Sequence, residues 1–374
     1  MPVFKNRVVL EVARGIKAFL KLEVGLTRGE VPDERAALRK ELARQSAGGL
    51  SGGKPDLFFV VGQKKSGTTW LMRTLDSHPE LLCKGEGRFF GREWRRDKLK
   101  ETKKQQQPTS LYNALANAED LRFWIERSPW SRDDDPEEHL DNLTRMAVEY
   151  FLTQELAGTG KRMVGDKSPL LTPEDVKEIG TLHPGAKVVH IIRDGRDAVV
   201  SAAHHMWNFS EDREGVVTLQ EGVRQRREAY RQDRQTLAES GGSVFTPPQL
   251  RGLSRDWAGN VRAAREHGRS LLGENYLEVR YEDLLVSPEK EIRNILGFLG
   301  ALSDERTVAG CVGSSSFERL SKGRQPGEED PSSFFRKGIA GDWRNVFTEK
   351  DKRVFKKEAG DLLVELGYEQ NGRW

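Results

Sequence analysis

Two cysteines in 374 residues, Cys83 and Cys311, allow one disulfide at most. That excludes a disulfide-dense secreted scaffold and suits a reducing, cytoplasmic setting in which both thiols serve as small buried apolar groups. No stretch approaches the roughly 20 apolar residues of a membrane-spanning helix, so no integral membrane segment is expected. A surplus of charge is missing too. Lys and Arg total 61 against 58 Asp and Glu, a formal balance of +3, and without a basic excess no nucleic-acid partner is expected. No internal repeat interrupts the chain, which removes solenoids and propellers.

What is present begins with an amphipathic basic segment. From Phe4 to Val24, Val8, Val9, Val12, Ile16, Phe19 and Leu20 alternate with Lys5, Arg7, Arg14, Lys17 and Lys21. These charges break the apolar region that a signal peptide needs. Such a helix packs on its own protein, on a second subunit or on an anionic membrane, so a homo-oligomer stays open. Glu30 to Gly53 reads as a charged helix followed by a Gly/Ser linker. Residues 1–53 are therefore an N-terminal helix and linker, and 54–374 a single α/β domain.

Within that domain, apolar runs at Leu57–Val61, Ala186–Ile192 and Tyr276–Val279 predict strands. Their alternation with helical patterns predicts a central parallel sheet flanked by helices, with ligands at the carboxyl ends of the strands. Gln220–Ser240 predicts a highly charged, exposed helix. The first strand runs into Gly62-Gln-Lys-Lys-Ser-Gly67-Thr68-Thr69, whose glycine spacing matches a phosphate loop opening a helix at Trp70. In an NTP-cleaving loop a lysine follows the second glycine and reaches the terminal phosphates. Thr68 stands there instead. The positive charge has moved into the turn as Lys64 and Lys65, where a lysine can lie against the bridging oxygen of a diphosphate-like group. A plain glycine turn is the bland alternative.

A second anchor follows the second strand. Arg193 falls at its carboxyl end and Ser201 eight residues later on the next helix. If the two strands are neighbours, a guanidinium and a hydroxyl there can clamp a separate phosphate.

Lys65-Ser-Gly-Thr-Thr-Trp70, Arg193-Asp-Gly-Arg-Asp-Ala-Val-Val-Ser201 and Phe335-Arg-Lys-Gly-Ile-Ala-Gly-Asp-Trp-Arg-Asn345, in that order, resemble the three signatures of PAPS-dependent sulfotransferases. The resemblance spans Leu57 to Tyr368, although the segments between the motifs do not carry it. It implies PAPS as cofactor, PAP as product, and no metal. It also implies that Lys65, Ser66, Gly67, Thr68 and Thr69 hold the 5′-phosphosulfate, with Lys65 beside the breaking bond. Arg193 and Ser201, joined by Arg336, Lys337 and Gly338, would hold the 3′-phosphate. Trp70 and Phe317 would sandwich the adenine, and Tyr281 would meet its edge. Ser315 replaces a threonine often found there and keeps the hydroxyl.

Transfer to a hydroxyl acceptor requires a base. The Lys-Thr-His segment of the cytosolic enzymes is missing. Cys83-Lys84-Gly85-Glu86-Gly87-Arg88-Phe89-Phe90 instead resembles segments of the tyrosylprotein and heparan-modifying enzymes, which makes Glu86 the expected base, buried beside Phe89 and Phe90. Gly165-Asp166-Lys167-Ser168-Pro169 resembles a further segment of those relatives, so Lys167 would steady the sulfuryl oxygens. His204 and His205, without metal-ligand spacing around them, are the backup base. His78 and His183 precede prolines and read as turn residues, and Trp343 as structural. Acceptor specificity is expected in Arg88–Asp135, with Trp94, Phe123, Trp124 and Trp130, and in His204–Trp257; a small-molecule or glycan hydroxyl fits. Two other classes remain open on the residues alone: a nucleotide kinase or NTPase, and a non-catalytic PAP-binding protein.

Overall fold

Five parallel strands form one sheet in the order β2-β3-β1-β4-β5. They are β1 (Asp56–Gln63), β2 (Leu81–Gly85), β3 (Met163–Leu170), β4 (Lys187–Ile192) and β5 (Tyr276–Arg280). The computed structural model describes residues 56–91, 110–211, 220–232 and 241–374. The amphipathic segment Phe4–Val24, the linker up to Gly53, Trp94 and residues 233–240 of the charged segment lie outside them.

Helices flank the sheet. The amino-terminal ones are α1 (Thr68–Asp76), α2 (Leu111–Ala116), α3 (Glu119–Arg127), α4 (Pro136–Leu156), α5 (Asp175–Leu182), α6 (Gly195–Glu211) and α7 (Glu221–Gln232). Then follow α8 (Pro247–His267), α9 (Tyr281–Val286), α10 (Pro288–Leu299), α11 (Glu305–Ser314), α12 (Phe317–Leu320) and α13 (Glu349–Glu365).

Alternation along β1 divides the core. Phe58 and Val60 pack with Leu71 and Leu75 of α1, Leu284 of α9 and Ile292, Ile295 and Leu296 of α10. Leu57, Phe59 and Val61 face the other way, against Val148 of α4, Val176 and Ile179 of α5 and Ala264 of α8. A strand clothed on both faces must be apolar throughout, which is why β1 was legible. Beyond Ile192, α6, α8 and α13 share a further core around Trp257 and Phe355.

The chain leaves β1 towards the α1 face and leaves β4 towards the opposite, α6 face. These neighbouring strands therefore part at their carboxyl ends and open a crevice at a topological switch point. Among the described residues, no helix is long and apolar enough to cross a membrane.

Three strands lie where the apolar runs predicted them; β2 and β3 were not anticipated. β3 reads Met-Val-Gly-Asp-Lys-Ser-Pro-Leu, a turn-like composition. Sheet pairing on both edges, to β2 and β1, overrides that local preference. The charged segment also differs from its expected exposure, because Val223 and Tyr230 of α7 are buried. His78 does more than end a turn: its Nδ1 accepts the Glu80 N–H at 3.0 Å, and its Nε2 bonds the Leu302 carbonyl at 2.8 Å. Cys83 and Cys311 are both free and buried.

Candidate active site

The loop after β1 is shaped by two left-handed residues, Lys65 at φ 72° and Gly67 at φ 97°. A side chain at Gly67 would also meet the Tyr281 ring at 2.6 Å, so only glycine allows the ring so close. Ser66 N–H closes the turn on the Gln63 carbonyl at 3.0 Å. No side chain caps α1, which leaves its first N–H groups for an anion. Among the described residues, the buried Ser66 hydroxyl has no hydrogen-bond partner.

Arg193 crosses the crevice from β4. It is buried, and its guanidinium donates to the Lys65 carbonyl and to the Ile339 carbonyl, each at 3.1 Å. It lies 4.4 Å from the centre of the Tyr281 ring. Trp257, fully buried, donates its indole N–H to the Arg193 carbonyl at 3.2 Å. Backbone position and charged head are thus both held before any ligand arrives. Ser201 lines the same cavity from α6.

Arg336 and Lys337 approach from the carboxyl-terminal segment with their charges already partnered. Arg336 bonds Glu329 at 2.5 Å and Asp342 at 2.6 Å, and Lys337 bonds Asp342 at 2.7 Å. Burial would raise the Asp342 carboxyl, but hydrogen bonds from Lys337 and Arg336 outweigh it and hold the group well below the usual range. Asp197 ties the same segment to α6 by accepting the Gly341 and Trp343 amides at 2.6 and 2.9 Å. Gly338, at φ 65°, sits against Phe317, where a Cβ would lie 2.3 Å from the ring. Trp343 is buried in the core around Phe355.

Trp70 donates its indole N–H to the Ser315 carbonyl at 2.8 Å and meets Tyr281 edge-on, with ring centroids 5.8 Å apart. Trp70, Tyr281 and Phe317 all line one cavity of about 640 Å³, together with Lys65, Thr68, Thr69, Arg193, Arg336, Lys337 and Gly338. The cavity is strongly cationic. Burial and the neighbouring charges of Arg193, Lys167 and Arg336 lower the Lys65 ammonium to about 8, and its Nζ lies 4.0 Å from the centre of the Phe334 ring. Burial lowers Lys64 as well.

The same cavity contains Glu86 and Lys167. Lys167 is 4% exposed on β3 and its Nζ bonds Glu86 Oε1 at 2.5 Å. Glu86 is not buried beside Phe89 and Phe90 as its sequence context suggested; its side chain keeps 39% exposure. Both phenylalanines instead turn into the core, where Phe90 meets Phe59 and His183 edge-on and Phe89 meets Phe90. His204 likewise packs inward, between Trp207 and Tyr230 at 4.7 and 5.0 Å, and does not line the cavity. His205 does line it, with its imidazole lowered to about 4 by burial, Lys65 and Lys64. Phe123, Trp124 and Trp130 are exposed and stand apart from the cavity lining.

Several site residues had no signal of their own in the sequence. Phe334 falls just before the third motif, and Asp342 lies within it without a role assigned from the sequence. Asn260, which donates to Gln63 at 2.8 Å on the cavity wall, lies mid-helix in α8 with nothing to single it out.

Residues 55–367 match the family model described as the sulfotransferase domain. Sulfotransferase 1A1 of Bos taurus is 35% identical over 97 residues, covering 22% of this chain and 33% of the relative. Its Rattus norvegicus counterpart is 36% identical over 97 residues, covering 24% and 33%. The chain thus spans about a third of the length of these curated relatives. Among solved structures, mouse sulfotransferase SULT7A1 complexed with PAP aligns at a TM-score of 0.44 and 20% identity, covering 86% of this chain and 87% of that one. Sulfotransferase STF9 from Mycobacterium avium aligns at 0.45 and 13%, covering 87% and 80%. With its family model spanning the whole of the described sheet, this chain belongs to the sulfotransferase domain family.

Proposed function

We propose that this protein transfers the sulfuryl group of PAPS to the hydroxyl of a small-molecule or glycan acceptor. The observation that carries this reading is one cavity in which an uncapped helix start, Lys65 and Arg193 stand across from the Glu86–Lys167 pair. The residues fit the cofactor. Among the described residues, the buried Ser66 hydroxyl and Arg193 Nε both lack hydrogen-bond partners, and Trp70 and Phe317 line the cavity with rings suited to a base.

When bound, PAPS supplies a sulfuryl group on a good phosphate leaving group. In this reading Lys65 and the amides from Ser66 to Thr69 hold the phosphosulfate end, while Arg193, Ser201 and the Arg336–Gly338 segment hold the 3′-phosphate. Arg336 and Lys337 are largely neutralised by Glu329 and Asp342, so Arg193 carries most of the phosphate affinity. Tyr281, wedged between Gly67 and Arg193, aligns the base edge. Glu86 would take the acceptor proton, and Lys65 would face the phosphate side of the transferred group and offset the charge left there. Lys167 orients Glu86 and balances charge on the sulfuryl oxygens. His205, which lines the same cavity, is the rival base.

The two free, buried cysteines support a reducing, cytoplasmic setting. Radiolabelled PAPS offered with a panel of phenols, tyrosyl peptides and amino-sugar oligosaccharides tests the activity, with PAP release to water as the baseline. Sulfated product that is lost in Glu86→Gln, with PAP binding intact, is expected. Tight PAP binding with no transfer to any acceptor or to water would favour a non-catalytic binder.

A further inference from the structure

Asp166 is a buried carboxylate to which the reaction assigns no part. It stands on β3 next to Lys167, only 3% exposed. Among the described residues neither of its oxygens enters an ion pair; Oδ1 accepts the Gly87 N–H at 2.9 Å and Oδ2 accepts the Ser168 hydroxyl at 2.6 Å. Burial raises the carboxyl to about 6, against the pull of Ser168, Gly87 and Lys167. Keeping such a group ionised opposes folding, so a purely structural account would favour a neutral residue here.

What Asp166 holds gives the reason. Glu86 is flanked by two glycines that let its turn lie close to its neighbours. A Cβ at Gly85 would fall 2.9 Å from the Lys167 side chain, and one at Gly87 would fall 2.4 Å from the Phe89 ring. Between them, Lys167 takes the Glu86 carboxylate while Asp166 takes the amide of the following residue. Both anchors are consecutive residues of one strand that the sheet holds on both edges. The cavity wall thus fixes an exposed glutamate by its head and by its backbone.

We propose that Asp166 is the positioning residue for Glu86: its carboxylate clamps the Gly87 amide and so fixes the glutamate against the cavity. The proposal rests on Glu86 being the base. Gripping a backbone amide requires an oxygen, not a charge, so Asn can substitute where Ala cannot.

The experiment compares Asp166→Ala, Asp166→Asn, Ser168→Ala and Glu86→Gln in the full chain. Three quantities are measured: turnover of PAPS to PAP with the best acceptor of the panel or with water, PAP affinity by calorimetry, and amide exchange of the peptide spanning residues 84–90. Asp166→Ala is expected to lower kcat by about 30-fold through misplacement of the base. Its PAP affinity should stay within about two-fold, with faster exchange in the peptide. Asp166→Asn should recover turnover to within about five-fold of wild type, and Ser168→Ala, which frees only Oδ2, should cost about three-fold. If Asp166→Ala fails to fold, the Asn and Ser168 variants carry the test. Wild-type turnover or unchanged exchange in Asp166→Ala beside an inactive Glu86→Gln overturns the role of Asp166 alone, as does an Asn variant as slow as Ala. A Glu86→Gln enzyme with full turnover overturns the base itself and this proposal with it.

Discussion

The cavity has two halves built on different principles. The half proposed to hold the cofactor, around Lys65, Arg193 and Tyr281, is made of backbone geometry and buried groups that hold one another: Arg193 bonds two carbonyls, and Tyr281 fills the space that Gly67 leaves. The half proposed to meet the acceptor, around Glu86, His205 and Phe334, is made of side chains from the end of β2, from α6 and from a connecting segment, and its proposed base is partly exposed. A shared cofactor demands one rigid geometry, whereas acceptors vary, so the first half is set by glycines and main-chain contacts and the second by replaceable side chains.

If that division is right, substitutions on the two sides should separate binding from turnover. The largest effect is expected from Glu86→Gln, which should cut kcat by about a thousand-fold in the radiolabelled PAPS assay while PAP affinity, read by calorimetry, stays as in wild type. Arg193→Ala should weaken PAP binding by about 50-fold in the same titration, well beyond Arg336→Ala, because Asp342 and Glu329 already share the Arg336 charge. Comparable losses for the two arginines would break the assignment of phosphate affinity to Arg193. Trp70→Ala should cost about ten-fold in PAP affinity, since it removes one ring face and the tether to Ser315.

Acidity gives a finer probe of the cofactor half. In the free protein the Lys65 ammonium is lowered to about 8, and a bound anion restores preference for the charged form. PAP affinity should therefore fall as pH rises past about 8, with proton uptake on binding near that pH. Lys65→Met should remove that slope. The smallest effect is expected at Asp256, which lines the cavity from α8: Asp256→Asn should alter acceptor KM by about three-fold at most and leave PAP titrations untouched.

The same contrast explains what could be read from the chain before its fold was known. Strands β1 and β4 announce themselves because both faces are covered, and the loop between Gly62 and Thr69 because phosphate geometry needs glycine and hydroxyl at set positions. β2 and β3 stayed hidden because their carboxyl ends carry Lys84, Asp166, Lys167 and Ser168, polar residues that do not read as strand, of which Lys167 lines the cavity. The placement of Glu86 was misjudged for a related reason: Phe89 and Phe90 were expected to bury it, but a two-glycine turn lets the rings enter the core while the carboxylate stays at the cavity. His204's inward packing is not encoded locally, because it depends on Tyr230 of another helix; Arg336 is partnered by Glu329 within the same connecting segment, a pairing that no motif marks.

Calorimetric titration of wild type, Arg193→Ala and Glu86→Gln with PAP in the presence of EDTA addresses the central claim most directly. Tight binding that Arg193→Ala weakens by more than ten-fold and Glu86→Gln leaves unchanged is the expected result. Failure of the wild type to bind PAP, or binding that depends on added magnesium and favours ATP, would contradict it.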